Sequence, residues 1–600
     1  MTRTIHIGGA SGYWGESDMA WAQLLSHQPL DYLVFDYLAE ITMSLLARMR
    51  ERDPAAGYAT DFVSQLAEHL PRVAATGVRV ISNAGGVNPE SCARAVREAV
   101  LRAGLSLKVA VVTGDDLMDR LDGLSGATEM FTGEALPQAE RIVSANAYLG
   151  AFPIAAALDA GADIVITGRV VDSAVTLGAL IHEFGWRADE LDRLAQGSLV
   201  GHLIECGPQV TGGNFTDWQD VAQDIADIGY PVASVSADGT AVISKPADTG
   251  GQVSYGTVAE QMLYEIGDPA EYILPDVVCD FTQVILEEVG PDRVRVSGAR
   301  GRGVPDRLKV SVTVADGHRI SLLFFMVGHQ ADAKAEVVFD AVLERAERKL
   351  AAKGWDGFSQ SELEFTGYDN SFGDFHDLGD VHNPRELAFR MSVRHARADA
   401  CAVFAREALG FALAAPPGLS LYTGARARPQ AVTRLFSTLV GRADVTARVD
   451  GAGIPFAPGT APSPFVHGAP PPPMGEPTQY LELQRLAWLR SGDKGDMSNI
   501  GIIARAPDYL PWIWAAVTED AVWERFAHYL DGDSVRRWYL PGTHAINITM
   551  DRALGGGGMA SLRNDPQGKG FAQILGCMPV QMPAVERDRP LGWGMHHPFP

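Results

Sequence analysis

The sequence predicts an α/β fold in which a mostly parallel sheet flanked by helices is followed by a smaller, separate α+β domain. Three observations support this prediction. Strand-like and helix-like segments alternate before residue 190, strand-like segments with few helices follow residue 230, and nine prolines fall between residues 455 and 477. Alternation of this kind is typical of parallel sheets, because each parallel connection needs a crossover on a face of the sheet.

The first region, residues 1–230, contains short apolar runs that are separated by segments of helix-favouring composition. We predict helices at 16–26, 58–76, 89–103 and 152–160. The predicted strands are Thr4 to Ile7, Tyr32 to Phe35, Val78 to Ser82, Leu107 to Thr113 and Ile164 to Thr167. In such sheets ligands bind beyond the carboxyl ends of the strands, so the turns after these strands are the first places to look for a site.

Residues 231–452 form the second region, where strand patterns dominate and two long helical patterns occur near 330–353 and 393–409. We predict an α+β extension of the same large region here. Residues 453–478 are proline-rich, and proline-rich segments behave as semi-rigid spacers, so they mark a linker. After this linker, residues 479–590 alternate strands with a helix near 521–530, which predicts a small α+β domain of ferredoxin-like type.

The overall composition excludes several classes of function. The chain has 600 residues, 74 of them acidic and 50 basic, and the net charge of −24 opposes binding to nucleic acid or to an anionic membrane. The five cysteines are widely spaced and contain no CxxC pair, which favours a reducing cytoplasm. We expect no membrane span, no export leader and no cofactor.

The most highly charged turn lies between two apolar, strand-like segments at residues 489–501. Glycines at 492 and 495 allow close approach of the backbone, so basic side chains and N–H groups of this turn can converge on an anion. We predict that Arg490, Lys494 and Asn499 bind substrate and that Asp493 and Asp496 take part in proton transfer. The alternative is a tight polar turn whose charges pair with one another.

Other candidate binding residues follow predicted strands of the first region. A glycine-rich turn precedes the first helix, and its N–H groups are suited to a carboxylate or phosphate, although its spacing departs from the dinucleotide-binding pattern. An arginine beside a glycine at a strand end is suited to a bidentate contact with an anion. The residues predicted to bind substrate at these turns are Gly9, Ser11, Gly12, Asn83, Gly85 and Arg169. Each turn is also compatible with a plain connection between strand and helix.

A second polar loop, Glu205 to Asn214, follows a helix that includes His202. General acid-base chemistry at the α-carbon of a thioester needs a carboxylic acid beside amide donors. We therefore predict Glu205 as the proton-transfer residue and Gln209 as a substrate-binding residue. Cys206 as a nucleophile is a weaker alternative, because no histidine spacing selects it.

Two stretches contain possible metal ligands, and neither predicts a metal site. Adjacent carboxylates at Asp115 and Asp116 follow a strand, but Asp115 is suited to capping a helix. His376 and His382 lie near three aspartates, at 374, 377 and 380, without a helical HxxxH pair, which favours an exposed acidic loop.

Several of these motifs resemble one protein family. The charged run Arg490 to Asp496, followed by Asn499-Ile500-Gly501, resembles a motif of the AtuA family of acyclic terpene utilisation proteins. Further stretches are similar to its amino-terminal block, and the resemblance covers about residues 1–450 and 478–590. These stretches are Ile7 to Glu16, Ser82 to Pro89, Ile166 to Asp172 and Glu205 to Gln209.

The resemblance implies a role in the breakdown of acyclic terpenoid and branched acids through CoA thioesters, and it also implies the ferredoxin-like domain. Together with the anion-binding turns, it leads us to expect an acyl-CoA hydratase or a related carbon-oxygen lyase. We expect a small-molecule CoA thioester as ligand, no nucleic-acid or membrane partner, and a homo-oligomer. The alternatives are a non-catalytic thioester-binding or assembly subunit and a thioester hydrolase that uses Cys206 or a serine.

Overall fold

The structure, a computed structural model, describes residues 3–27, 29–368, 370–375, 384–421, 427–585 and 591. Its strands, in chain order, are β1 (Thr4–Gly9), β2 (Tyr32–Phe35), β3 (Arg79–Ser82), β4 (Val109–Thr113), β5 (Ile142–Ala147), β6 (Ile164–Thr167), β7 (Val232–Ser236), β8 (Ala241–Ser244), β9 (Tyr272–Ile273), β10 (Val278–Asp280), β11 (Ile285–Gly290), β12 (Arg293–Ser297), β13 (Arg300–Gly303), β14 (Arg307–Val327), β15 (Gln360–Thr366), β16 (Glu386–His395), β17 (Leu419–Leu421), β18 (Gln430–Gly441), β19 (Ala447–Val449), β20 (Ala452–Ile454), β21 (Gln479–Glu482), β22 (Ala487–Lys494), β23 (Met497–Ala504), β24 (Val535–Leu540), β25 (Ala545–Met550) and β26 (Pro579–Met582).

The α-helices pack on the faces of the sheets that these strands form. They are α1 (Met19–Ser26), α2 (Glu40–Arg52), α3 (Thr60–Thr76), α4 (Pro89–Arg102), α5 (Phe152–Asp159), α6 (Ala174–Phe184), α7 (Leu191–Glu205), α8 (Tyr255–Leu263), α9 (Ala331–Ala352), α10 (Ala398–Phe411), α11 (Leu483–Leu486), α12 (Leu510–Ala516), α13 (Glu519–Arg525), α14 (Gly557–Ala560) and α15 (Phe571–Gly576). Within the described ranges, no helix is both long and apolar enough to cross a membrane.

An eleven-stranded mixed sheet, in the order β11-β12-β8-β7-β1-β2-β3-β6-β4-β19-β20, forms the largest layer. The strands from β1 to β4 in this order pair in parallel, whereas the pairs towards both edges are antiparallel. The prediction of a mostly parallel sheet is therefore not confirmed. The helical crossovers before residue 190 produce parallel pairs, but strands that are joined by short turns after residue 230 extend the same sheet as hairpins.

The central strands are buried on both faces, and alternate side chains enter two separate cores. Ile7 and Val34 lie in the core beneath α5, α6 and α7. Leu33 and Phe35 lie in the core on the opposite face, beneath α1, α3 and α4. Because strand side chains alternate between faces, short runs that are apolar throughout are what a strand covered on both faces requires.

A second sheet is built around the 21-residue strand β14. Its members β15, β16, β14 and β17 pair in that order, and β5 and β18 pair with β14 as well. Helices α9 and α10 cover one face of this sheet and share an apolar core with it. Since β5 belongs to the first predicted region and β14 to the second, the two regions are joined through this strand pairing.

The carboxyl-terminal sheet has four antiparallel strands in the order β22-β23-β25-β24 and its own apolar core with α12, α13 and α15. It packs on the large region through polar contacts that are mostly buried. Arg505 makes a bidentate ion pair with Asp217 at 2.6 and 2.7 Å, and Trp488 Nε1 donates to the same carboxylate at 2.8 Å. Bidentate geometry fixes orientation as well as distance, so the two parts dock in one register.

The proline-rich linker is held to the large region at its beginning and is exposed further on. Thr460 pairs with Val304 through two backbone hydrogen bonds, and the Arg302 side chain donates to the carbonyl of Ser463. Beyond that point Val466 and Met474 are 89% and 88% exposed. An exposed, irregular segment of this kind is suited to proteolytic nicking.

We expect brief treatment of the native protein with thermolysin to cut before Val466 and to leave the two fragments associated, because the Arg505 and Asp217 contact does not depend on the linker. Denaturing electrophoresis with mass spectrometry locates the cut, and size-exclusion chromatography of the nicked protein measures the association. The variant Val466→Asp removes the apolar side chain that thermolysin selects and is the control. Separation of the fragments under native conditions would contradict this docked arrangement.

Candidate functional site

The candidate site lies where the parallel strands end. Asp36 follows β2, Asn83 follows β3, Arg169 and Asp172 follow β6, and Glu205 ends α7. The carboxyl ends of neighbouring parallel strands share one edge of the sheet, which brings these side chains together. Residues at the ends of β3, β4 and β6 contact one another here: Gly85 lies against the carbonyl of Thr167, and Asp115 accepts the backbone N–H of Arg169.

Three carboxylates form the centre of this group. One oxygen each of Asp36, Asp172 and Glu205 lies within 4.8 Å of the others. Each carboxylate also has a partner: Asn83 Nδ2 donates to Asp36, Arg169 Nη1 donates to Asp172 at 2.9 Å, and His202 Nδ1 lies 3.1 Å from Glu205. The three carboxylates therefore stand close together, and neighbouring donors hold each of them in place.

Burial and mutual repulsion change the protonation of this cluster. Desolvation, reinforced by the charges of Asp172 and Glu205, raises the pKa of Asp36 well above its ordinary value. Desolvation also raises the pKa of Glu205, although His202 opposes the shift. Like charges this close cannot all ionise at once, so the cluster retains a proton and can act as an acid.

The same three oxygens are of the type that binds a hard divalent cation such as Mg²⁺ or Ca²⁺. The guanidinium of Arg169 already neutralises one of the charges, at Asp172. Cation binding and proton storage are therefore competing uses of the cluster.

Arg169 supports the cluster from within the protein. Its side chain is 2% exposed; the guanidinium donates to the carbonyl of Leu38 at 2.6 Å and lies 4.2 Å from the centre of the Tyr148 ring. Its backbone N–H donates to Asp115 at 2.9 Å. Asp115 therefore anchors the Arg169 turn, and desolvation raises the pKa of its carboxyl to about 6.

A cavity of 430 Å³ opens beside Asp172. Most of its wall is apolar, and its charged and phenolic lining residues are Tyr148, Asp172, Tyr272, Asp306, Arg307, Lys309 and Lys494. The charge of Asp172 acts on Lys494 and that of Lys494 acts on Lys309, so these three residues define a polar end of the cavity. The apolar part includes Val171, Ile273, Leu274, Pro275, Val278, Leu308 and Leu439. Ligand pockets characteristically combine apolar walls with a few convergent polar groups, as this cavity does.

Glu40 connects the polar groups of the cavity. It is the first residue of α2, where the helix dipole favours a carboxylate, and it accepts hydrogen bonds from Tyr148 Oη at 2.8 Å and Lys309 Nζ at 3.3 Å. Desolvation alone would raise the pKa of Glu40, but Lys309 and Lys494 outweigh it and hold this pKa well below its ordinary value. Glu40 is therefore ionised and keeps Lys309 in place.

Lys494 enters the cavity from the carboxyl-terminal domain. It is the last residue of β22, and the hairpin to β23 contains only Gly495 and Asp496, with Gly495 at a φ of 65°. Lys494 Nζ donates to Glu265 at 2.8 Å. Desolvation would lower the pKa of Lys494, but the charges of Glu265, Tyr272 and Asp172 raise it well above its ordinary value, so the side chain is an ammonium ion.

The other charged residues of this hairpin have different surroundings. Asp493 pairs with Lys569 at 2.8 Å, and desolvation raises its pKa to about 6. Asp496 accepts the backbone N–H groups of Leu554 and Gly556, which stabilises the neighbouring turn. Neither carboxylate lines the cavity that contains Lys494. Their predicted part in proton transfer stays a prediction.

Arg490 and Asn499 make contacts between the two parts of the chain. Arg490 donates to Gln209 and to the carbonyl of Asn214, and its guanidinium lies 4.7 Å from the centre of the Tyr264 ring. Asn499 bonds backbone groups after α8. Protein partners thus already engage the polar groups of Gln209, Arg490 and Asn499. Their predicted roles in substrate binding stay predictions.

The predicted glycine-rich turns pack tightly against the site. A Cβ atom at Gly9 would collide with the carbonyl of Ile204, and one at Gly85 would collide with the carbonyl of Thr167. A Cβ atom at Gly12 would collide with the backbone of Cys206, and the Gly12 N–H donates to Glu16 at 2.6 Å. Ser11 donates to the carbonyl of Asp36 at 3.1 Å. These four residues bring the loops together; contact with a ligand stays a prediction for each.

Several residues of the site were not selected from the sequence. Asp36 follows a predicted strand directly, so its position at a strand end was the available signal. Lys309 lies inside β14, Tyr148 follows β5 and Glu265 follows α8, and no local motif distinguishes them. His376, His382, Asp377 and Asp380 of the acidic loop lie outside the described residues.

Two family models match parts of this chain. The family model for the acyclic terpene utilisation protein AtuA matches residues 5–450. The chain belongs to the AtuA family. The model for the AtuA ferredoxin-like domain matches residues 481–581, which confirms both the resemblance to AtuA proteins and the predicted ferredoxin-like domain. No curated protein and no solved structure gives a match.

We expect Arg169→Lys to lower the free energy of unfolding by about 1–3 kcal/mol, because an ammonium cannot reproduce the hydrogen bonds and ring contact of the buried guanidinium. Urea denaturation followed by circular dichroism measures the change. Arg187→Lys is the control, since the Arg187 side chain is 69% exposed and pairs with an exposed aspartate. Equal stability of Arg169→Lys and the wild type would contradict the structural role of Arg169.

Proposed function

We propose that this AtuA-family chain is an enzyme that adds water to, or removes it from, the acyl chain of a branched or acyclic terpenoid CoA thioester. The observation that carries the proposal is the 430 Å³ apolar cavity with two lysines and an aspartate at its polar end. An acyl thioester has matching chemistry, namely an apolar chain that ends in a polarisable carbonyl group.

The apolar wall of the cavity is suited to binding the acyl chain. Transfer of each buried methylene from water contributes roughly 0.8 kcal/mol, and Ile273, Val278 and Leu439 provide a surface without hydrogen-bonding side chains. Membership of the acyclic terpene utilisation family supports a ligand of this class. A methyl-branched chain suits a wide apolar cavity better than a polar metabolite does.

The two lysines are suited to binding the carbonyl group of the thioester. Lys494 is held as an ammonium ion by the carboxylates around it, and Lys309 is paired with Glu40. In hydration of an enoyl thioester, negative charge develops on the carbonyl oxygen as the enolate forms. Fixed cations aimed at that oxygen stabilise the transition state more than the ground state.

The carboxylate cluster supplies the proton transfers. Water oxygen forms a bond to the β-carbon as the carbon-carbon π bond breaks, an ionised carboxylate accepts one water proton, and a protonated carboxyl delivers a proton to the α-carbon. Asp172 lines the cavity and Glu205 lies behind it in the cluster. A pair of carboxyl groups with different protonation can provide both the base and the acid.

The thioester hydrolase alternative has less support. A cysteine nucleophile acts as a thiolate, which needs a lowered pKa. At Cys206 desolvation, reinforced by the charges of Glu205 and Glu265, raises the pKa well above its ordinary value. Cys206 is therefore a poor nucleophile in these surroundings.

We expect Lys494→Met to lower turnover of a methyl-branched ten-carbon trans-2-enoyl-CoA by about 10²-fold or more, because one of the two lysine cations that line the cavity is lost. Loss of the ultraviolet absorbance of the enoyl thioester measures turnover, and calorimetric titration measures binding. Lys349→Met is the control, since Lys349 of α9 pairs with Glu407 of α10 on the helices that cover the second sheet. Binding by the wild type without any turnover would favour the non-catalytic subunit, and absence of binding would overturn the proposal.

We also expect Leu439→Trp to reduce binding of this ten-carbon thioester far more than binding of crotonyl-CoA, because an indole ring would fill the apolar part of the cavity. Competition between the two thioesters in calorimetric titrations measures the ratio. Leu413→Trp serves as the surface control, since Leu413 is 99% exposed. An equal effect on both chain lengths would place the acyl chain elsewhere.

A further inference from the structure

Glu265 links two lysines of the carboxyl-terminal domain to the large region. Its Oε2 atom accepts a hydrogen bond from Lys494 at 2.8 Å, and its Oε1 atom lies 3.7 Å from Lys569 Nζ. Lys569 in turn pairs with Asp493 at 2.8 Å. The charges therefore alternate along a path from the exposed Lys569 to the cavity, and Glu265 is its central carboxylate.

The backbone of Glu265 adopts an uncommon conformation. Its φ is 60°, in the left-handed region that residues with a side chain seldom occupy. Such a conformation is unfavourable for a residue with a side chain and persists only where the surroundings impose it. Some feature of the surroundings must therefore stabilise the segment after α8.

Two asparagines of the carboxyl-terminal domain hold this segment. Asn499 Oδ1 accepts the N–H of Glu265 at 2.9 Å, and its Nδ2 donates to the carbonyl of Leu263 at 2.7 Å. Asn547 Nδ2 donates to the carbonyl of Ile266 at 2.8 Å. Asn499 Nδ2 also donates to Asn547 Oδ1 at 3.0 Å, and both side chains are at most 1% exposed.

We propose that Glu265 is a positioning residue that fixes the Lys494 ammonium at the polar end of the cavity, and that the Asn499 and Asn547 amides hold Glu265 in the conformation this requires. The domain that provides the lysine thus also shapes the loop that orients it. The consequence for catalysis rests on the proposed function, whereas the effect on Lys494 itself does not.

Competing carboxylates explain why Lys494 needs a fixed partner. Besides Glu265, the groups whose charges favour the ammonium form of Lys494 include Tyr272, Asp172 and Glu40. The charge of Lys494 in turn acts on Lys309 and His202. Without Glu265 the ammonium would move towards Asp172 or Glu40. A direct pair with Asp172 would add a second cation to a carboxylate that Arg169 already contacts, and this carboxylate would be a weaker base.

The protonation of Glu265 is consistent with this role. Desolvation would raise its pKa, but Lys494 and Lys569 outweigh that effect and lower it. Glu265 therefore stays ionised in the range where enzymes work. A glutamine of the same shape removes the charge and leaves the packing almost unchanged, which makes Glu265→Gln the informative substitution.

We expect Glu265→Gln to lower the pKa of Lys494 by about one unit or more, since a unit corresponds to about 1.4 kcal/mol of lost interaction. Protein labelled with ¹³C at lysine Cε reports this pKa by nuclear magnetic resonance, and Lys494→Met identifies the signal. Asn499→Ala keeps the Glu265 side chain but removes the hydrogen bonds that hold its loop, so this variant should also shift the Lys494 signal. Glu407→Gln, which removes a buried carboxylate from Lys349 and Arg345, is the matched control.

An unchanged Lys494 signal in Glu265→Gln would overturn the inference, and so would a shift of equal size in Glu407→Gln. If Glu265→Gln fails to fold, the Lys494 signal of Asn499→Ala tests the inference instead, and an unchanged signal there would overturn it. With the branched enoyl-CoA, Glu265→Gln should lower kcat about tenfold or more while KM changes little. A shifted lysine signal in a protein without turnover would support the positioning role and overturn the proposed function alone.

Discussion

The contact between Lys494 and Glu265 is the interaction on which the candidate site depends most. It joins a hairpin of the ferredoxin-like domain to a loop of the large region, and it places a cation at the polar end of an apolar cavity. A cation withdrawn from water needs carboxylates nearby, and these come from the large region. Neither part of the chain contains both members, so the site exists only when the parts are docked.

Docking is specific because polar contacts define its register. Arg505 meets Asp217 in a bidentate pair, Arg490 reaches Gln209, and the amides of Asn499 and Asn547 bond backbone groups after α8. Buried polar groups are costly unless they are satisfied, so a shifted arrangement would leave several of them without partners. The mixed sheet of the large region supplies the carboxylate cluster, in which closely packed glycine turns bring Asp36, Asp172 and Glu205 together.

The electrostatics of the site differ from those of the whole chain. A net charge of −24 would repel an anionic thioester at long range, yet Lys309, Lys494 and Arg169 are concentrated around one cavity. Exposed charges beyond about 8 Å are largely screened at physiological salt, so local cations decide what enters. The carboxylates beside them keep the lysines charged.

The sequence by itself determined the five strands that pair in parallel, the helices α1, α3, α4 and α5, the ferredoxin-like domain and the family, whereas α2, β5 and α6 were not predicted. These features depend on local signals: apolar runs of strand length, turn glycines and the run Arg490 to Asp496. It also placed Arg169 and Glu205 at strand and helix ends, where side chains of an α/β sheet converge. It did not predict the mixed sheet, because the direction in which β7, β8, β11 and β12 pair is set by contacts between distant segments.

Only the tertiary structure decided what each charge does. Lys494 and Asp496 are two residues apart, yet one lines the cavity and the other stabilises a turn, because their partners come from segments far away in the chain. Lys309, Tyr148, Glu40 and Glu265 carry no local pattern, and their roles follow from burial and from the groups they meet. Protonation and orientation depend on such long-range neighbours, which the order of residues along the chain does not reveal.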